Sequence, residues 1–546
     1  MTQRRASPLH WAPAVTVAAF ALPIVAGLLG TLLPAFGVMP AIGAERFGLA
    51  PWRELAHHPG FATALRLTLV SGLATTLLAV IAALGLAAWV HQRPWGQRLG
   101  AWMAPVLAAP HSALAIGLSF LLVPSGWLVR WVSPGLTGWT LPPDVSTVGH
   151  PSGWALIVGL LIKEVPYLML MTLGALNQVA ARPYMAAARA LGYRPVQAYL
   201  QVVLPLVYPQ IRLPIFAVLA VRWFADPDLQ RVLPASAAAV LLLVLVAVCI
   251  TAWHGLEWMA TRWGRRWIAQ GRRDGPLAAL AAWASALCAL LAAATALALL
   301  ALLVWSFTRQ WRYPDAWPQA WTLDNWARQS VAVLPPALDT LWIGLAATAV
   351  AALLAIACLE HEVQREQGAA VPRAFGSGSL WLLYTPLLVP QVAFLFGVQV
   401  LLIRTRLDAT LFAVVWAHLV FTLPYFFLSL ADPWRAFDAR YARSAASLGA
   451  SRWRVFWRIK LPILLKPTLI ACAVAFAVSV GQYLPTLFAG SGRVATLTTE
   501  AVTLASGEDR RVTAVWALLQ SLLPFVAFAG AVWIPRIAFA HRRALA

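Results

Sequence analysis

The chain has 546 residues, of which 61% are hydrophobic and only 11% charged. A soluble domain is nearer half apolar and a quarter charged, so a water-soluble globular fold is excluded and a polytopic membrane protein is implied. The formal net charge of +21 does not point to nucleic acid, because the arginines are spread over many short loops and form no single basic face; it fits the positive-inside rule and attraction to a bilayer with anionic lipid.

A membrane-spanning helix needs about 20 mostly apolar residues. In chain order such stretches lie near 12–36, 63–90, 101–123, 154–175, 205–222 and 233–255, then near 277–306, 338–358, 379–403, 411–430, 463–480 and 513–535. The expected fold is all-α, a polytopic membrane protein with about 12 transmembrane helices. The first stretch follows Arg4 and Arg5 and exceeds the roughly 7–15 apolar residues of a signal peptide, so it reads as an uncleaved span. Cys249, Cys288, Cys358 and Cys472 each lie in an apolar stretch without metal-ligand spacing, and read as small buried packers. No metal site and no catalytic constellation is expected.

Arginine placement sets the orientation. With the N-terminus in the cytoplasm, the basic segments His91–Arg98, Arg182–Arg194, Arg262–Arg273, Arg435–Lys460 and the tail with Arg536, Arg542 and Arg543 are all cytoplasmic, as is the C-terminus. The opposite loops are nearly charge-balanced and rich in tryptophan: Trp127, Trp131, Trp139 and Trp154, then Trp311, Trp317, Trp321 and Trp326. These tryptophans are expected to anchor at the headgroup level.

The two halves repeat one another. Thr68-Leu69 with Gly72-Leu73-Ala74 matches Thr340-Leu341 with Gly344-Leu345-Ala346; Pro110 and Gly117 match Pro390 and Gly397; Pro166-Tyr167 matches Pro424-Tyr425. An even number of spans per repeat makes the repeats parallel. The expected division is residues 1-270 and 271-546, six helices each, joined through the basic stretch Arg262–Asp274.

The clearest duplication is a loop. Ala186-Ala187-Ala188-Arg189-Ala190-Leu191-Gly192 precedes Leu204-Pro205, and Arg443-Ser444-Ala445-Ala446-Ser447-Leu448-Gly449 precedes Leu461-Pro462. The Gly-to-Pro distance is 205 − 192 = 13 in one copy and 462 − 449 = 13 in the other. Alanine and glycine permit close approach of another backbone, glycine supplies a positive φ between two short helices, and proline suits the first turn of the next helix. Each copy therefore predicts a helix–turn–helix used as a docking surface.

These residues resemble the permease subunits of binding-protein-dependent type I ABC importers, whose signature is Glu-Ala-Ala, three residues, Gly, nine residues, Ile-x-Leu-Pro. Both loops match the Gly, the spacing and the Leu-Pro, with Val202 and Ile459 at the Ile position. Both depart at the acidic position, Ala186 and Arg443, and the second also carries Ser444 at the first Ala. The chain looks most like two fused permease repeats of the thiamine and ferric-iron import group. The resemblance implies an importer permease of a bacterial inner membrane. On this likeness the loops around Ala186, Ala187, Ala188, Leu191, Gly192, Leu204 and Pro205, and around Ser444, Ala445, Leu448, Gly449, Leu461 and Pro462, couple to two copies of an ATP-binding subunit. A periplasmic binding protein would deliver the small solute. The chain lacks the G-x-x-x-x-G-K-[ST] phosphate loop, so it is not expected to be an enzyme or to hold a cofactor; ATP belongs to the partner. The alternative is a secondary transporter driven by an ion gradient, which also uses parallel halves but leaves the duplicated loop unexplained.

For the substrate pathway the candidates are Lys163 and Glu164, ionisable groups inside a predicted span, and Gln482, Tyr483 and Glu500. The last three sit in a segment, 481–500, with no counterpart in the shorter stretch between Pro205 and Arg231 of the first repeat. His418, also within a predicted span, is expected to be a hydrogen-bonded packing residue.

Overall fold

The computed structural model describes residues 8–90, 109–178, 181–207, 232–270, 277–366, 385–386, 389–507 and 509–539. Its helices are Ala12–Ala35 (α1), Ala50–His57 (α2), Phe61–Val90 (α3), His111–Leu122 (α4), Trp127–Val132 (α5), Trp154–Gln178 (α6), Ala181–Ala190 (α7), Pro195–Ala198 (α8), Val232–Ala269 (α9) and Leu277–Ser306 (α10). Then follow Asp324–Glu366 (α11), Gln391–Arg404 (α12), Leu411–Arg435 (α13), Ala439–Ser447 (α14), Arg452–Val455 (α15), Leu465–Val480 (α16), Leu484–Ala489 (α17), Leu497–Ala505 (α18) and Arg510–Ala538 (α19). Two short antiparallel strands, Thr308–Gln310 (β1) and Ala320–Trp321 (β2), close a hairpin after α10. The protein is all-α and polytopic, as helices are the one open-ended element that satisfies its own backbone in lipid.

Among the described residues eight helices are long and apolar enough to cross a membrane, and nine if Arg452–Ile463 and Leu465–Val480, bent by 74°, form one broken span. The bend falls at Leu464, three residues before Pro467, which has no N–H to offer the Ile463 carbonyl. The predicted span near 205–222, and the stretch from Pro205 to Arg231 contrasted with segment 481–500, lie mostly outside the described residues.

Contacts divide the chain into two units that cut across the repeat boundaries 1-270 and 271-546. One unit holds Met1–Phe47, Gln329–Ser506 and Leu519–Ala546; the other holds Gly48–Arg328 and Gly507–Leu518. Thus α1, from the start of the first repeat, packs with helices of the second, and α10, from the start of the second, packs with helices of the first.

Glycine explains both exchanges. In α1 a Cβ on Gly30 would lie 2.8 Å from Gly397 Cα of α12, and one on Gly27 would lie 2.9 Å from Val398 Cγ2. At the same seam Gly397 donates its N–H to Thr31 Oγ1 at 3.3 Å. In the other unit a Cβ on Gly117 of α4 would lie 2.9 Å from the Ala298 carbonyl carbon of α10. Gly117 and Gly397 are the glycines matched between the repeats, so one sequence device receives the exchanged helix in each unit.

In α1 and α3 small residues line much of the packed face and large ones face outward. In α3, Ser71, Thr75, Ala79, Ala82 and Ala83 are buried, while Val70, Leu73 and Leu77 are exposed. In α1, Gly27 and Thr31 face the seam, while Leu22, Val25, Leu29 and Leu33 are exposed. Lipid is as apolar as leucine, so helices gain by close backbone approach, and large side chains go to the lipid face.

Six of the eight tryptophans of the two charge-balanced loops divide into two groups, while Trp154 is exposed and Trp326 half-buried. Trp131, Trp139, Trp317 and Trp321 are exposed, as expected of interfacial anchors, but Trp127 and Trp311 are buried. Trp127 donates its Nε1–H to the Ala316 carbonyl at 2.9 Å, and its ring lies edge-on to Trp131, Trp311 and Trp317. The anchor expectation is corrected for these two: they form a packed aromatic core joining α5 to the hairpin, with Arg130 over the Trp311 ring at 4.9 Å.

Candidate functional site

Each duplicated loop opens with a short helix, α7 or α14, that ends in the same way. Gly192 has φ +86° and Gly449 φ +81°. Gly192 donates to the Arg189 carbonyl at 3.0 Å and Tyr193 to the Ala188 carbonyl at 3.1 Å; Gly449 donates to Ala446 at 3.0 Å and Ala450 to Ala445 at 3.0 Å. These paired bonds are the Schellman motif, in which a left-handed residue past the helix end satisfies two orphan carbonyls.

The likeness continues downstream. One short helix, α8 or α15, follows, then five residues wound as π-helix, Tyr199–Val203 or Phe456–Lys460. The next turn of α-helix begins at Leu204 or Leu461. The π segment starts at the same offset from the glycine in both loops, 199 − 192 = 7 and 456 − 449 = 7. The spacing that repeats in the sequence is a repeated backbone path.

Among the expected coupling residues, Ala186, Ala187, Gly192, Pro205, Ser444 and Gly449 are exposed, while Leu204, Leu461 and Pro462 are half-buried. Ala188 and Ala445, the acceptors of the longer Schellman bonds, are buried. Leu191 is 61% exposed and Leu448 89% exposed. Sequence reasoning missed their companions. Tyr184 and Tyr441 are also exposed and stand eight residues before the glycine in each copy, 192 − 184 = 8 and 449 − 441 = 8. Each loop thus presents a Tyr and a Leu to solvent from equivalent positions, an arrangement suited to insertion into a cleft of a partner.

The surroundings of the loops differ. Tyr184, Ala187, Leu191, Tyr193, Gln201, Val202 and Ile268 line a groove of about 220 Å³ in the first. Gln201 is 3% exposed, and neither its amide nitrogen nor its amide oxygen has a hydrogen-bond partner among the described residues. A buried polar group without a partner costs about 1–3 kcal/mol. Gln201→Leu is therefore expected to raise the unfolding free energy by about 1–2 kcal/mol, read as a higher melting temperature of the purified protein in detergent. A lower melting temperature would mean that the amide is satisfied by a molecule held in the groove.

In the second loop Asp438 caps α14, accepting the Arg440 backbone N–H at 2.8 Å. That bond, followed by the Arg440 guanidinium, holds the Asp438 carboxyl below the usual carboxylate range. Arg440, Arg443, Arg452, Arg454 and Arg458 are exposed around it, with Trp453 and Trp457 in edge-to-face contact.

The pathway candidates fall in different units. Lys163, in α6, is buried and donates its Nζ to the Ala109 carbonyl, next to the start of α4; Glu164 is half-buried. In the other unit Gln482 is buried at the end of α16, Tyr483 is half-buried before α17, and Glu500 is half-buried in the first turn of α18. Around them lies a buried polar network absent from the expected set. Gln520 donates to Thr498 Oγ1 at 2.7 Å, Thr498 donates to the Val480 carbonyl, and Leu497 N–H donates to Thr340 Oγ1 at 2.9 Å. Single threonines and glutamines in apolar stretches gave no signal beforehand.

His418 lies between two hydroxyls, with Nδ1 at 2.8 Å from Ser479 Oγ and Nε2 at 2.9 Å from Thr486 Oγ1. Thr486 donates its own proton to the Gln482 carbonyl, so Nε2 carries the imidazole proton and Nδ1 accepts from Ser479. The ring ties α13 to α16 and α17. Interhelical hydrogen bonds in membranes average about 0.6 kcal/mol, so His418→Leu is expected to cost about 1 kcal/mol of stability, measured by thermal unfolding. Lost transport at unchanged stability would instead give His418 a proton-carrying role.

The signature of the family described as binding-protein-dependent transport system inner membrane component matches residues 368–537. Along nearly its whole length the chain is similar to the inner membrane ABC transporter permease protein YnjC of Escherichia coli strain K12, 30% identical over 550 residues that cover 96% of each. A shorter stretch is similar to the molybdenum transport system permease protein ModB of Mycobacterium tuberculosis, 42% identical over 87 residues, 16% of this chain and 33% of that one. Another is similar to the putative 2-aminoethylphosphonate transport system permease protein PhnV of Salmonella typhimurium, 26% identical over 190 residues, 34% of this chain and 68% of that one.

Proposed function

This chain belongs to the inner-membrane permeases of binding-protein-dependent ABC transporters, and from that premise we propose how its duplicated loops are used. The two loops dock two copies of an ATP-binding subunit on the cytoplasmic side, where both termini also lie. A periplasmic binding protein delivers a small solute to the other side. One chain with two repeats replaces the usual pair of permease subunits.

The observation that carries this reading is the pair of equivalent loops. Both carry the Schellman turn, the π segment at the same offset and the exposed Tyr–Leu pair. Two copies of one docking geometry call for two copies of one partner surface. ATP binding closes the two ATPase subunits, their movement is passed to the loops, and the chain converts it to alternating access by rigid-body displacement. Hydrolysis resets the cycle. Catalysis stays with the partner, since the chain carries no phosphate loop of its own. Lys163 and Glu164, with Gln482, Tyr483 and Glu500, remain the proposed contributors to the solute pathway.

The test is co-purification of the full chain with ATPase subunits expressed alongside it, with stoichiometry from native mass spectrometry. A complex of one permease with two ATPases is expected. Solute flux in vesicles driven by an ion gradient, with no ATPase bound, would overturn the reading in favour of a secondary transporter.

A further inference from the structure

The two loops are joined to the bundle by different chemistry. In the second repeat, Lys460, at the end of the π segment, donates to Glu360 of α11 at 2.6 Å, and Arg435, at the end of α13, holds Glu362 of α11 through its Nε and Nη2 at 3.2 Å each. One partner of each pair is out of water and the other reaches it: the Lys460 and Glu362 side chains are each 6% exposed, against 21% for Glu360 and 35% for Arg435. Lys460 also stands 4.5 Å from the centre of the Trp434 ring and 5.6 Å from that of Phe437. Asp432 reaches Arg435 at 4.0 Å from the exposed side. Both residues flanking the coupling helix α14, one before it and one after, are thus fastened to the same end of α11.

The first repeat has none of these charges. The Gly72–Gly344 match places Ala88 and Val90 opposite Glu360 and Glu362, since 360 − 272 = 88 and 362 − 272 = 90. The glycine match of the loops places Val203 opposite Lys460 and Gln178 opposite Arg435, since 460 − 257 = 203 and 435 − 257 = 178. Ala88, Val90 and Val203 are all buried. The matched positions carry no charge in one repeat and two ion pairs in the other.

We propose that Glu360–Lys460 and Glu362–Arg435 are positioning pairs that make the second loop and α11 move as one piece, so that the ATPase stroke on this loop is delivered to α11. This rests on the ATPase-docking reading above. Two considerations favour transmission over plain stability. A buried ion pair contributes little more than a well-packed apolar joint, and the first repeat does without a charge at all four matched positions. A charge pair is directional and costly to break by removing one partner, which suits a joint under load. The pairs also leave the chain before and after α14, so both ends of the docking segment are tied to α11.

The experiment is distance measurement by electron paramagnetic resonance between spin labels at Leu353→Cys on α11 and Arg454→Cys on α15. It uses a cysteine-free background of the full chain bound to its ATPase subunits in lipid nanodiscs, with and without ATP. The wild-type joint is expected to keep one narrow distance in both states. Glu360→Gln with Glu362→Gln is expected to lower the ratio of fastened to detached joints by on the order of 100-fold, giving a second, ATP-dependent distance while the ATPases still co-purify. Charge exchange, Glu362→Arg with Arg435→Glu and Glu360→Lys with Lys460→Glu, is expected to restore the single distance. If the glutamine variant fails to fold, Glu360→Ala, Glu362→Val, Arg435→Gln and Lys460→Val together transplant the first repeat's residues and remove both partners of each pair, leaving only the exposed Asp432 without Arg435; this variant is also expected to show the second distance. An unchanged distance in the variants, or no recovery on charge exchange, would overturn the inference. Absence of ATPase from the wild-type complex would remove the premise instead, and is seen before any variant is made.

Discussion

Gly192→Val together with Gly449→Val is expected to strip the ATPase subunits from the purified permease while leaving the membrane-embedded helices folded. Both glycines hold left-handed φ values, +86° and +81°, which a β-branched residue adopts only as an outlier. Around Gly449 nothing lies within 4 Å of an added Cβ, so there the cost is the backbone conformation and not a clash. At about 1–2 kcal/mol per left-handed residue, the two changes together cost about 2–4 kcal/mol, a loss of roughly 30-fold to several-hundred-fold in affinity. Each single variant is expected to show the smaller, separate loss, since the loops are engaged together and one intact loop keeps the second ATPase at high effective concentration. Gly449→Asn is the control, because asparagine accepts the left-handed region and should retain the partner. Pull-down at matched protein levels, with thermal unfolding to show that the bundle persists, is the measurement. A double valine variant that keeps both ATPases would sink the docking role of these turns.

The loops were legible in the sequence because their geometry is local. A glycine at the end of an alanine-rich helix and a proline thirteen residues on determine a turn and the start of the next helix without reference to the rest of the chain. Tyr184 and Tyr441 stood at matching positions in plain view and were passed over because they lie upstream of the Gly-to-Pro spacing. The exchange of α1 and α10 between units was not legible. Gly27, Gly30 and Gly397 announce close approach but not to which helix, and small-residue seams look alike whichever partner fills them. The burial of Trp127 and Trp311 was hidden for a similar reason: a tryptophan near a membrane boundary reads as an anchor, and only the hairpin of β1 and β2 closes over these two. The ionic joint at Glu360 and Glu362 was out of reach because Lys460 and Arg435 are distant in sequence from them, and the Gln201 amide, without a hydrogen-bond partner among the described residues, because satisfaction is a property of the whole surround.

Gly397→Val is expected to have the largest effect on folding of any single change considered. The seam it fills is set by backbone against backbone: an added Cβ would stand 2.9 Å from Gly27 Cα and 2.7 Å from the Gly27 carbonyl carbon. No rotamer relieves a contact with main chain, so α1 must shift away from α12 along the whole crossing. Overpacking a well-filled core costs about 1–3 kcal/mol even where side chains can adjust, and here they cannot. The shift would also draw Gly397 N–H away from Thr31 Oγ1 and Trp416 Nε1–H away from the Ala19 carbonyl, 2.8 Å apart at present. The expected result is loss of the folded permease from the membrane fraction, or a melting transition lowered by more than that of any other variant named. Gly117→Val, against Ala298 of α10, is expected to act in the same way on the other unit. Gly530→Ala, where the nearest atom to the new Cβ is Ile534 Cδ1 at 3.7 Å, is expected to be tolerated. If Gly397→Val melts with the wild type, α1 is not held against α12, and the exchange of first helices loses its physical basis. If it unfolds while Gly530→Ala does not, the matched glycines explain why a chain with two similar halves folds with its first helix among the helices of the second.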